Sequence, residues 1–311
     1  MWDTEVDVAV IGAGIGGLAN AIATVDAGGE VMLVDAAPAY RGDAAPVAIR
    51  ERVMAKHSSL LHDTLDLETN EYFAAISEGL LESANLVRDG AVPRRDARNL
   101  SRDEAFRSPV ETFVGARLTA WAEQCIASPY GLLYTSTSDW PTTTMRSANG
   151  QSIEVLSVGS MEWADGFGAG ALRQWLTEQA RERDIEVQTS SALERIVFEE
   201  GVIVGVVLTT PDGPLAVRTR YGITFAPHDQ DPGDDEHADL VAGDRLHVCL
   251  VGRTASRFGR VELLATEPLA PSRPTCTGSR RQLRDGLHDA RQPALEGWRC
   301  GKMHGYPALG Q

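Results

Sequence analysis

The stretch AVIGAGIGGLA, Ala9 to Ala19, constrains this chain more than any other segment. Before it stands V-D-V-A-V-I, Val6 to Ile11, short and β-branched, the pattern of a buried parallel strand. Gly12, Gly14 and Gly17 then satisfy G-x-G-x-x-G. In such a turn the first glycine lets the chain reverse tightly. The second lets a pyrophosphate approach the backbone, and the third lets the following helix pack close to the strand. Leu18 to Ala27 is alanine-rich and helix-prone, and Gly28-Gly29 supplies a stop. E-V-M-L-V-D follows as a second strand that ends in Asp35. An acidic residue roughly 20 positions past the motif is placed to accept hydrogen bonds from an adenosine ribose. Strand, turn, helix and acid together predict a dinucleotide site; the competing reading is a glycine-rich turn without a ligand.

A second amphipathic helix is expected over Gly168–Arg183, where Leu172, Trp175, Leu176 and Ala180 repeat at helical spacing. A strand at Ile185–Gln188 and a meander follow, with strands at Leu193–Glu199, Val202–Thr209 and Leu215–Arg220. Their turns fall at Glu200-Gly201 and Pro211-Asp212-Gly213.

These two blocks, roughly residues 5–36 and 166–225, resemble the FAD-binding half of the fumarate reductase and succinate dehydrogenase flavoproteins, a family that includes the 3-ketosteroid dehydrogenases. The resemblance lies in VIGAGIGGLANAIATVDAGGEVMLVDA and GAGALRQWLTEQARERDIEVQTSSALERIVFEEGVIVGVVL. It implies a Rossmann-like α/β domain with a central parallel sheet and a β-meander, interrupted by an inserted, mainly helical α+β region. The implied division is 1–40 with 160–265 for the nucleotide domain, 41–159 for a substrate or cap-like insert, and 266–311 for a loosely ordered tail. By the same resemblance Gly12, Ala13, Gly14, Ile15, Gly16 and Gly17 hold the FAD pyrophosphate. Asp35 holds the ribose with Ala36 beside it, and the backbone near Leu193 meets the adenine.

The sequence departs from that family in several places. Where the family has a glycine-rich run after the acidic residue, this chain has AYRGDAAPVA. Arg41 beside Gly42 could pair with phosphate there, against the alternative of a solvated turn. His57 lacks the family's His-Thr context for flavin attachment. Ala226-Pro227-His228 stands where the family has Ala-Thr-Gly, and proline there removes a backbone donor. His228 and His237 lie in the acidic run DQDPGDDEHADLVAGD, which reads as a solvated loop rather than a metal site. Residues 245–265 offer one or two strands. From Pro268 the composition turns to Arg, Pro and Gly without a sustained period, and the family's terminal flavin-contacting segment has no counterpart. A shifted reading frame in an arginine-rich coding sequence would produce such a tail.

The middle of the chain gives coarser signals. Residues 58–92 look helical, with Asp66 or Thr69 as a cap for a face carrying Tyr72, Phe73, Ile76, Leu80 and Leu81. SRDE, 101–104, matches a capping box. Residues 112–135 are mostly apolar with a turn at Ser128-Pro129-Tyr130-Gly131, and Asn149-Gly150 marks a hairpin. Tyr130, Tyr134, Arg146 and Arg173 are conceivable substrate contacts, with packing or surface placement as the expectation. No residue type in the pattern singles out a catalytic acid or base.

Composition narrows the function class. The 311 residues carry a net charge of -15, which disfavours a nucleic-acid partner. No apolar run reaches the roughly 18 residues of a membrane helix, and the acidic start MWDTEVD is unlike a secretory leader. Cys125, Cys249, Cys276 and Cys300 show no CxxC spacing, so free thiols in a cytoplasmic protein are expected and no metal. The reading is an FAD-binding oxidoreductase that passes hydride between a small organic substrate and flavin N5. A second copy or a partner chain could complete the site. A flavin monooxygenase of related fold, with Gly243-Asp244 as its motif, and a truncated, non-catalytic dinucleotide-binding protein are the alternatives.

Overall fold

The computed structural model describes residues 1–36, 66–77, 91–101, 103–104, 115–136, 142–163, 168–226, 243–254 and 256–269. Strand β1 spans Thr4–Ile11, helix α1 Ile15–Asp26 and strand β2 Val31–Ala36. β1 and β2 run parallel, with Val10 opposite Leu33 and Ile11 opposite Val34. Helix α2 covers Leu67–Ser77. Two short strands, β3 (Arg94–Arg95) and β4 (Ala97–Asn99), precede helix α3 at Gly115–Ala127. Strands β5 (Gly131–Tyr134), β6 (Thr143–Ser147) and β7 (Ser152–Glu162) lead to helix α4 at Ala169–Glu182. β8 (Val187–Glu199), β9 (Val202–Thr210) and β10 (Gly213–Phe225) form the meander, and β11 (Arg245–Gly252) and β12 (Phe258–Leu264) complete the order.

The pairing explains why β8 and β10 are long. The start of β8 runs parallel to β2, with Leu33 opposite Val187, and its remainder pairs antiparallel with β9. β10 does the same from the other side: Gly213 to Arg218 pair with β9, while Val217 to Phe225 run parallel to β1. Each strand therefore changes its pairing partner along its length. In β8 the bend falls where Ser190 takes a φ of 58° and the pairing slips between Val34 and Ala36. The two separate strands expected at 185–188 and 193–199 are thus one continuous strand that bends. The strand expected at 215–220 extends to Phe225 because its second half finds β1.

Side-chain alternation divides the core accordingly. Ala9, Ile11 and Val34 face the meander and pack with Leu193, Ile196, Val206, Leu208, Val217, Ile223 and Phe225. Phe73 from α2 closes this core edge-to-face against Phe225, with ring centroids 5.1 Å apart. Val8, Val10 and Leu33 face the other way, onto α1 and α4. Those helices also meet Val158, Leu246, Val248, Leu250, Val261 and Leu263 from the antiparallel strands β7, β11 and β12. α1 lies between two sheet surfaces, which is why every residue from Ile15 to Thr24 is buried. The small, mostly apolar residues of this sequence allow that burial, with Asn20 and Thr24 the polar side chains among them.

β5 joins the two parts of the sheet, pairing with β10 on one edge and β12 on the other. Beyond it β12, β11, β7, β6 and β4 continue antiparallel, and β3 pairs with β12 in parallel. α3 covers the outer face of these strands through Trp121 and Cys125. The Asn149-Gly150 and Glu200-Gly201 turns lie where the sequence predicts them, with Gly150 at φ 81° and Gly201 at φ 78°. The capping box also forms: the Glu104 N–H donates to Ser101 Oγ and the Ser101 N–H to Glu104 Oε2. No helix among the described residues is long and apolar enough to cross a membrane.

Candidate functional site

The glycine turn sits at the carboxyl ends of β1 and β2. Gly12 has a φ of 108°, a conformation that L side chains rarely adopt. Its N–H donates to Val34 O at 2.8 Å, which fixes the turn against the end of β2. A Cβ on Gly12 would come within 2.1 Å of Ala226 O, and Ala226 is itself held by its N–H on Ile11 O. A Cβ on Gly17 would come within 1.8 Å of Gly12 O. These two glycines let three backbone segments meet at one point: the end of β1, the start of α1 and the end of β10.

Gly14 is the N-cap of α1, in extended conformation, with no side-chain cap. The first turn, Ile15 to Gly17, contains no acidic residue. The N–H groups of a helix's first turn lack intrahelical partners, and with the helix dipole they favour an anion. Gly16 packs against Leu132 of β5, whose Cδ2 lies 3.1 Å from the position of an added Cβ. Ala13 and Ile15 are buried in the core beneath the turn.

Asp35 follows Val34, the residue to which Gly12 is bonded, so its backbone stands at the same strand ends as the turn. Ala36 is the last residue of β2 and pairs with Ser191. Leu193 comes two residues later on β8; its side chain is fully buried in the core facing the meander. The strand ends thus gather Gly12, Gly14, Gly17 and the backbone of Asp35, whereas Leu193 lies within β8, paired with Leu208 of β9. Arg41 and Gly42 lie outside the described residues, as do His57, Pro227, His228 and His237.

The opposite end of the same strands is acidic. Glu5, Asp7 and Glu30 surround Arg220, which reaches Glu5 at 2.7 Å and Asp7 at 3.2 Å. Asp7 Oδ2 also accepts the Glu30 N–H. Three carboxylates around one guanidinium leave that end with a net negative charge.

The other residues weighed from the sequence fall elsewhere. Tyr130 is fully buried in the core beside α1, so it is a packing residue. Tyr134 packs against that core, and burial pushes its phenol well above the usual tyrosine range. Arg146 on β6 points its guanidinium at Gly150 O, and Arg173 lies on α4. Gly243-Asp244 forms a turn that enters β11, with Asp244 O accepting the Trp163 N–H. Among the described residues no group of three or more His, Cys, Asp or Glu could hold a metal ion. Cys125 and Cys249 are buried free thiols.

Sequence reasoning missed a charged cluster under α3. Arg95 donates to Glu262 through Nε at 2.5 Å and Nη2 at 2.8 Å, and Arg260 Nε donates to the same carboxylate at 2.6 Å. The readable signal was Arg260-x-Glu262, a spacing that puts both side chains on one face of a strand.

No known family model matches the chain, and no curated protein matches it. Solved structures do. One is the 3-ketosteroid-Δ4-(5α)-dehydrogenase of Rhodococcus jostii RHA1 in complex with 4-androstene-3,17-dione, at 20% identity over 72% of this chain and 46% of that one, with a TM-score of 0.28. A flavocytochrome c3 fumarate reductase matches at 18% identity over 70% of this chain and 33% of that one, TM-score 0.28. The myxobacterial chondrochloren halogenase, an FAD-dependent halogenase, matches at 12% identity over 71% and 37%, TM-score 0.28. The chain spans less than half the length of each, and likeness at these TM-scores decides neither fold nor function.

Proposed function

We propose that this chain is an FAD-binding oxidoreductase, with the glycine turn and Asp35 as the dinucleotide site of a Rossmann-like domain. The observation that carries this reading is the backbone convergence at Gly12 and Gly17 beside a helix start with a glycine N-cap and no acidic residue, with Asp35 near the end of the next strand. Gly12 and Gly17 close the turn, and the second glycine, Gly14, leaves room for a pyrophosphate at the first amides of α1. Asp35 accepts hydrogen bonds from the ribose hydroxyls. Ala13, Ile15 and Gly16 set the turn's shape from below, Ala36 continues β2 past the acid, and the β8 backbone near Leu193 borders the adenine. Arg41 and Gly42, which lie outside the described residues, belong to the same proposed site as phosphate partners.

When bound, the flavin supplies hydride exchange with an organic substrate at N5. The chain's part is to hold the dinucleotide at the sheet edge and position a small-molecule substrate. In this reading residues 1–40 and 160–265 carry the nucleotide, 41–159 the substrate region, and 266–311 a tail. The fit extends to the neutral first turn of α1, where a carboxylate would oppose the phosphates.

Adding oxidisable substrates anaerobically to the purified, flavin-loaded chain tests the reaction class. Loss of absorbance near roughly 450 nm on substrate addition is expected of a dehydrogenase or reductase. Oxygen consumption driven by NAD(P)H would instead indicate a monooxygenase. Bound flavin inert to both would contradict an enzymatic role.

A further inference from the structure

Strand alternation places an unusual set of side chains on the outer face of the antiparallel strands. Arg260 and Glu262 of β12 share that face with Leu264, and Arg95 of β3 lies opposite Leu264 in register. Gln151 and Arg253 extend the same face from the ends of β7 and β11, where Ile153, Val155 and Val251 form its apolar part. α3 lays Trp121 over it. The guanidinium carbons of Arg95, Arg253 and Arg260 lie 5.8, 5.5 and 5.4 Å from the Trp121 ring centroid. The indole N–H is used by Phe258 O at 2.9 Å, so the ring is fixed.

Glu262 is fully buried and shared by two guanidiniums, Arg95 and Arg260. Arg253 Nη2 donates to the neutral Gln151 Oε1 at 2.6 Å. Glu154, between Ile153 and Val155, points to the other face, where it accepts from Thr142, Thr144 and Thr254. The Arg260 side chain is 17% exposed and anchored through Nε to Glu262. Its Nη1 and Nη2 groups donate to no described residue. A guanidinium held at Nε against an aromatic ring presents its remaining N–H edge in a fixed plane, the geometry that receives a carboxylate or phosphate oxygen pair.

We propose that Arg260, with Arg95 and Arg253 around Trp121, forms a binding site for a small oxyanion, separate from the glycine turn. Glu262 and Trp121 are its positioning residues: they orient the guanidiniums and do not touch the ligand. Carboxylate and phosphate share the recognising chemistry, and the test separates them.

The full chain is titrated calorimetrically at low ionic strength with sodium phosphate and, separately, with sodium acetate. Saturable binding of at least one is expected, the tighter of the two naming the ligand class. Arg260→Gln keeps the bidentate Arg95–Glu262 pair and should weaken binding about tenfold, the effect of one charge-assisted hydrogen bond. Phosphate held at the start of α1 would be indifferent to that substitution. Arg253→Gln is the second variant, which decides the matter if circular dichroism shows Arg260→Gln to be misfolded. Absence of saturable binding, or binding unchanged in the folded variants (an adventitious ion only), would overturn the proposal.

Discussion

At the residue scale, the glycines of the turn are required for different reasons, and substitution separates them. Gly12→Ala forces a side chain onto Ala226 O at a φ of 108°, and Gly17→Ala forces one onto Gly12 O. In both cases the obstacle is backbone, which cannot swing aside. Each is expected to cost about 2–4 kcal/mol of folding stability. Gly28 also has a positive φ, 83°, but open space around its Cα, so Gly28→Ala should cost about 1–2 kcal/mol from strain alone. Urea unfolding of the three variants checks the order. Equal losses at all three would mean that the close approach at Gly12 and Gly17 is not needed for folding.

Tyr72 gives a second residue-scale expectation. Burial pushes its phenol up to about 12, opposed by the Arg257 guanidinium beside it. The folded state therefore favours the neutral phenol. The stability linked to this shift is complete below the unfolded tyrosine value of about 10 and is lost as pH rises toward 12. Tyr72→Phe should flatten the decline of the urea midpoint over that interval. An unaltered decline would place the alkaline sensitivity elsewhere.

At the element scale, a buried hydrogen bond adds to the packing of Tyr72 and Phe73 in holding α2 to the meander. Thr69 Oγ1 accepts the Ile196 N–H at 2.9 Å, and Thr69 is fully buried. Asp66 caps the same helix turn, its Oδ1 accepting the Thr69 N–H at 3.3 Å. Thr69→Val keeps the shape and removes the acceptor, so a buried strand N–H loses its partner at a cost of about 1–3 kcal/mol. Thr69→Ser keeps the acceptor and should recover most of that. Similar stability for the valine and serine variants would show that shape, not the hydrogen bond, holds α2.

The elements legible in the sequence are those whose signals are local. β1, α1, β2 and α4 carry periodicity within their own spans, and the hairpin turns carry Asn-Gly or a glycine at positive φ. α3 was not read out of 112–135, although Leu118, Trp121, Ala122 and Cys125 repeat at helical spacing, and β5 left no local signal of its own. β5 is only four residues long and exists through its partners β10 and β12, which lie about 90 and 130 residues away in sequence. The continuity of β8 and β10 was missed for a related reason: each changes partners midway, and no local pattern records which strand comes next. The candidate site was legible at Gly12, Gly14, Gly17 and Asp35 because turn geometry and spacing are local. The Arg95–Glu262–Arg260 cluster was not, since two of its members are separated by more than 160 residues.

At the scale of the whole molecule, the fold makes two ends out of one sheet. The amino ends of the parallel strands gather Glu5, Asp7 and Glu30 around Arg220. The carboxyl ends gather the glycine turn, the start of α1 and Asp35. In a chain with a net charge of -15, the first turn of α1 carries no acidic residue to oppose an anion. β5 couples this region to the antiparallel strands through its two edges. The measurement that tests the account most directly is an FAD titration of the purified full chain, followed by absorbance between 300 and 550 nm, for the unaltered protein and for Asp35→Ala. The account predicts a shifted, saturable flavin spectrum for the unaltered protein. Asp35→Ala should bind about tenfold more weakly or worse, through the lost ribose hydrogen bonds. A flavin spectrum unchanged by the unaltered protein, or equal affinity in both, would contradict the assignment of the glycine turn and Asp35 as the FAD site.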